Sequence, residues 1–128
     1  MKMNSLLMMG GLAAATLMTS IVTADAASIK VRCEQRAGRS KISVDGAGLA
    51  AGNYKARIIS GANQTTTTAP QASERGQVEF DFDSDRGDIA AGATAISPTF
   101  IQGGVVTGKI LDANNFTVIS DTVKCQAR

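Results

Sequence analysis

The stretch Val78-Glu79-Phe80-Asp81-Phe82-Asp83 alternates an apolar residue with an acid at every step. A period of two sends the apolar side chains to one face of a pleated strand and the carboxylates to the other, a spacing that no helical stripe has. The same period recurs upstream. Ile29, Val31 and Cys33 alternate with Lys30, Arg32 and Glu34; Ile42 and Val44 with Lys41 and Ser43; Tyr54, Ala56 and Ile58 with Lys55 and Arg57. Downstream, residues 105–125 break at Asp112-Ala113-Asn114-Asn115 and read as a hairpin. Val106, Gly108 and Ile110 go out, and Phe116, Val118, Val123 and Cys125 come back. Turn clusters separate the runs: Asp45-Gly46, Ala51-Gly52-Asn53, Ser60-Gly61-Ala62-Asn63, Arg75-Gly76, Arg86-Gly87-Asp88 and Gly103-Gly104. Residues 88–95 allow one short helical turn, and the polar run Thr65–Thr68 fits an edge strand or a loop. About seven to eight short strands at this spacing predict an all-β sandwich.

The N-terminus has a different character. Lys2 is the only charge before Asp25, an apolar run extends from Leu6 to Val22, and Ala24-Asp25-Ala26 supplies small residues in an A-x-A pattern. That order predicts a cleavable signal peptide over residues 1–26 and one domain over residues 27–128. The run is long enough for an uncleaved anchor to be the rival, but Gly10-Gly11 and many alanines weaken it, and no basic stop-transfer cluster follows. No second apolar segment of spanning length follows, so no membrane insertion is expected after cleavage. The protein is expected to be periplasmic or secreted. Without Lys2 and Asp25, the totals of 13 basic and 11 acidic residues become 12 and 10. A balance that close implies neither nucleic acid nor a membrane surface as partner.

The chain has two cysteines, Cys33 and Cys125, near opposite ends of the domain. In an exported chain the simplest expectation is that they pair. The bridge would close a loop of about 92 residues, for which chain entropy gives roughly 4 to 5 kcal/mol as an upper figure. The alternatives are free thiols or metal ligands, and two cysteines without any histidine make a poor zinc or copper set.

Leu49-Ala50-Ala51-Gly52-Asn53-Tyr54 resembles the Leu-x-x-Gly-x-Tyr corner of fibronectin type III and related immunoglobulin-like modules. The resemblance implies an immunoglobulin-like sandwich in which the Tyr54 hydroxyl bonds back to the backbone across a turn. Residues 106–113 also resemble a hairpin of the regulatory sandwich domains found beside carboxypeptidases. Neither resemblance implies a function.

Chemistry is constrained mainly by what is missing. The absence of histidine removes Ser-His-Asp and Cys-His arrangements, and no phosphate-binding glycine loop occurs. The expected protein is therefore a non-enzymatic exported module for binding, adhesion or surface structure, with no cofactor and with a protein partner or self-association. Two alternatives use the acids. Asp81, Asp83, Asp85 and Asp88 could hold Ca²⁺ in a calcium-dependent module, since hard cations favour clustered carboxylates. Arg86 and Gly92 stand, however, where an EF-hand needs Gly and Glu. Glu79 and Asp83 could serve a small carboxylate hydrolase. Against the acids stands a basic block, Lys30, Arg32, Arg36, Arg39 and Lys41, a candidate partner face. If the blocks lie on neighbouring strands, cross-strand ion pairs account for both. If they lie at opposite ends, they suit head-to-tail assembly. Arg86-Gly87-Asp88 spells an adhesion tripeptide, which a turn between strands explains equally well.

Overall fold

The computed structural model describes residues 26–128. The leader assigned to residues 1–26 lies, apart from Ala26, outside the described residues. Alternation becomes pairing along the whole of this span. The elements are β1 (Ser28–Arg36), β2 (Arg39–Ala47), β3 (Asn53–Ser60), β4 (Asn63–Thr66), β5 (Gln71–Ala72), β6 (Val78–Asp83), α1 (Arg86–Ala90), β7 (Thr94–Ala95), β8 (Val105–Leu111), β9 (Thr117–Lys124) and β10 (Gln126–Ala127). The count exceeds the expected seven to eight because β5, β7 and β10 are two-residue strands with no periodicity to read.

The strands form two sheets. Sheet one runs β9-β8-β3-β4, with β5 also pairing β3; sheet two runs β10-β1-β2-β6-β7. Pairings are antiparallel except β10 with β1 and β7 with β6. Between the sheets lies one apolar core. Val31, Cys33, Ile42, Val44, Val78, Phe80 and Phe82 come from sheet two, and Tyr54, Ala56, Ile58, Val106 and Ile110 from sheet one. Leu49, Ile96, Phe100 and Ile101 close it from the connections.

Most turn clusters fall between strands. Gly61-Ala62 joins β3 to β4 with Ser60 opposite Asn63, and Asp112 starts the β8–β9 turn by accepting from Asn114 N and Phe116 N at 2.9 and 3.0 Å. Asp45-Gly46 does not. Both residues lie inside β2, paired with Lys30 and Ile29 of β1. Gly46 is there because the opposing sheet comes close: a Cβ would collide with Ile110 Cδ1. Gly108 of sheet one mirrors it, since a Cβ would lie 2.7 Å from Val31 Cγ2 of sheet two. The expected tyrosine corner is present, with Tyr54 Oη donating to Ala50 O at 2.7 Å.

Cys33 and Cys125 are bonded, with Cα atoms 4.7 Å apart. Cys33 faces the core from β1, and Cys125 sits where the chain leaves β9 of sheet one to join sheet two as β10. The bond therefore ties the two sheets together at the point where the chain crosses between them. No helix among the described residues is long and apolar enough to cross a membrane.

Candidate functional site

The register places the basic and acidic blocks on one surface, the outer face of sheet two. Lys30 lies opposite Asp45, and Asp45 opposite Glu79; Arg32 opposite Ser43, and Ser43 opposite Asp81; Glu34 opposite Lys41, and Lys41 opposite Asp83. The basic block thus lies on β1 and the start of β2, and the acidic block on β6 beside β2, so head-to-tail polarity from these two blocks does not arise. Arg32 pairs with Asp45 at 3.0 Å, and Arg36 with Glu34 at 3.4 Å. Arg128 reaches the other oxygen of Glu34 at 3.3 Å. These pairs are exposed, and each contributes a few tenths to about 1 kcal/mol.

The end of β6 differs. Strict alternation puts Asp83 on the wet face with Glu79 and Asp81, yet Asp83 is 1 % exposed. Arg39, where β2 begins, reaches it with two parallel bonds, Nε to Oδ1 at 3.1 Å and Nη2 to Oδ2 at 2.8 Å. The backbone N–H of Asp85 donates to Asp83 Oδ1 at 2.9 Å. Burial pushes the Asp83 carboxyl up. The Arg39 hydrogen bonds, the Asp85 N–H, the neighbouring Asp88 side chain and the Arg39 charge outweigh that and hold it at about 2. Arg39 in turn is shifted upward, chiefly by its hydrogen bond to Asp83. Its Nη2 also bonds Asp88 Oδ2 at 2.5 Å, so one guanidinium joins β2, β6 and α1.

Of the four acids considered as calcium ligands, Asp83, Asp85 and Asp88 stay together and Asp81 does not, and each is engaged differently. Asp81 is exposed on β6. Asp85 caps α1, accepting from Asp88 N at 3.1 Å. Asp83 and Asp88 converge on Arg39, whose fixed positive charge takes the place a metal cation would need. Among the described residues no group of three carboxylates is placed to hold a metal. Glu79 and Asp83 are four residues apart on one strand, about 13 Å by strand rise. Two-carboxylate glycoside hydrolases hold the pair within roughly 10 Å. Arg86-Gly87-Asp88 forms the first turn of α1 with its Asp engaged by Arg39, not a free loop.

The depressions on this surface are open and shallow. One lies over Arg32, Glu34, Lys41, Ser43 and Asp81; a larger one, about 630 Å³, is lined by Gln71, Glu74, Arg75, Gln77 and Glu79 at the β5–β6 turn. In the first, the Ser43 hydroxyl accepts a hydrogen bond from Arg32 Nε at 3.3 Å, with Asp81 opposite it across the strands.

The basic block is clustered in sequence, and three of its five residues, Arg32, Arg36 and Arg39, are ion-paired with acids. Another group of cations did not stand out. Lys55 and Arg57 of β3 face outward from sheet one, and the register sets Lys109 of β8 directly opposite Arg57. Lys124 ends β9 on the same sheet. Among the described residues none of the four makes an ion pair. Alternation marks Lys55 and Arg57 as outward, but only the pairing of β3 with β8 reveals the cluster.

These features define a two-sheet β-sandwich closed by a disulfide between its ends, with structural ion pairs on one face and unmatched cations on the other. No family model matches the chain, and no curated protein is significantly similar to it.

Proposed function

We propose that this chain is an exported, non-enzymatic β-sandwich module, of immunoglobulin-like type, that works by binding or by assembly at the cell surface. The observation that carries this is the fate of its buried reactive groups. Both sulfurs are spent in one bond. The buried carboxylate, Asp83, is committed to a bidentate structural pair. The Tyr54 corner supports the immunoglobulin-like assignment. The disulfide, with the Lys2, apolar and Ala24-Asp25-Ala26 sequence before the domain, supports export to the periplasm or beyond.

The test is capture by the mature, oxidised domain from its native envelope or medium, with partners identified by mass spectrometry, alongside a hydrolase substrate screen. The expected result is a saturable partner and no turnover. Hydrolysis abolished by Glu79→Gln, or by Asp83→Asn in a variant that melts as a folded domain, would overturn the proposal.

A further inference from the structure

Net charge conceals how the charges are distributed. The outer face of sheet two carries basic and acidic side chains side by side, whereas the outer face of sheet one carries Lys55, Arg57 and Lys109 with no carboxylate in register. Arg57 and Lys109 are direct cross-strand neighbours, a like-charge pairing that by itself destabilises a sheet. Lys55 lies about 7 Å from Arg57 along β3. Hydroxyls surround them: Thr66 accepts from Arg57 Nε at 2.9 Å, and Thr107 and Thr122 bond each other at 2.7 Å. The same sheet carries the large apolar side chains left in water. Phe116 is 70 % exposed, Val118 42 % and Val105 38 %, and all three belong to the β8–β9 hairpin.

We propose that the outer face of sheet one docks peripherally on an anionic lipid surface, with Lys55, Arg57, Lys109 and Lys124 against the headgroups and Phe116 and Val118 at the interface. The inference deepens the binding-module reading above and rests on it. Charge complementarity selects an anionic partner. A second copy of this chain offers no acidic face to match, because the acids of sheet two share their surface with Lys30, Lys41 and the paired arginines. A soluble anionic polymer would satisfy the cations but leave the exposed hairpin residues in water. A lipid interface takes both, since anionic headgroups attract basic side chains and the acyl boundary accepts apolar ones.

The experiment is cosedimentation of the mature, oxidised protein with vesicles of phosphatidylglycerol and phosphatidylcholine, against phosphatidylcholine alone, at low and high salt. Binding is expected only to the anionic vesicles and is expected to fall at high salt. Each cation near such a surface is worth about fivefold in affinity, so the double variant Arg57→Gln, Lys109→Gln should bind about thirtyfold more weakly. Phe116→Ser should weaken vesicle binding without changing its dependence on lipid charge. Thermal melting of each variant checks that the sandwich is intact, and relief of the like-charge pair should leave it no less stable. No binding to anionic vesicles, or binding indifferent to the Arg57/Lys109 change in a folded variant, overturns the proposal. So does tighter binding to a soluble anionic polysaccharide that Phe116→Ser does not affect, which would assign the face to a glycan. A protein partner captured from the envelope together with no vesicle binding would leave the binding-module reading standing and remove the lipid.

Discussion

Asp83 is where alternation misleads. Its position in Val78–Asp83 marks it as wet, and its burial follows from Arg39, which lies in another hairpin and whose guanidinium covers the strand end. Sequence spacing carries no record of that meeting. The depressed carboxyl gives a stability that is complete above its unfolded value near 4 and is lost as pH falls through about 2. Asp83→Asn keeps the shape but removes the charge. Denaturant unfolding at pH 7 should show a loss of about 2 kcal/mol, and the decline in stability between pH 4 and 2 should flatten. An unchanged acid limb would mean that Asp83 is not the residue responsible. Arg75 offers a change of opposite sign. It sits with Gly76 at the tip of the turn between Glu74 and Gln77, at φ 54°, where a side chain with a Cβ is strained. Arg75→Asn should raise stability by about 0.5 to 1 kcal/mol, read from the midpoint of chemical denaturation, since Asn tolerates that conformation better.

At the scale of elements, the long strands were legible because each buries alternate residues against a core, so β1, β2, β3, β6 and β8 show their period directly. The two-residue strands were not, because β5, β7 and β10 are held by pairing with β3, β6 and β1 and not by their own composition. Asp45-Gly46 failed for a related reason. A glycine required by the opposing sheet looks the same in sequence as one required by a turn. Gly108 makes the point testable. Gly108→Ala would drive a methyl into Val31 and Val44, so a loss of about 1 to 3 kcal/mol is expected in thermal or chemical unfolding. A neutral result would show that the sheets can move apart there. β9 has a further property: it lies at the edge of sheet one. A register irregularity between Thr117 and Ile119, and Asp121 opposite the core-facing Gly108, both work against another strand adding to it. The cations of sheet one became visible only at this scale, because Arg57 and Lys109 meet through strand pairing.

The fold class and the cysteine pairing were legible for the whole molecule because a staple between distant residues and a run of period-two segments both leave marks in one sequence. The distribution of charge over two faces leaves none, because balanced totals fit either a mixed or a segregated surface. The bond between Cys33 and Cys125 spans 92 positions, so replacing both by Ser should remove up to about 4 to 5 kcal/mol. A double variant as stable to denaturant as the oxidised protein would show that the unfolded chain gains nothing from being open.

That bond also governs how the molecule would respond to being pulled. Tension applied from outside the two cysteines runs through β1, the sulfurs and the final residues, and bypasses every strand from β2 to β9. An oxidised molecule stretched between its ends should behave as a short, nearly inextensible link. The same molecule reduced should release the enclosed chain, about 300 Å at full extension. Single-molecule force spectroscopy with and without reductant would measure the difference, and equal extensions in the two states would show that the load takes another route.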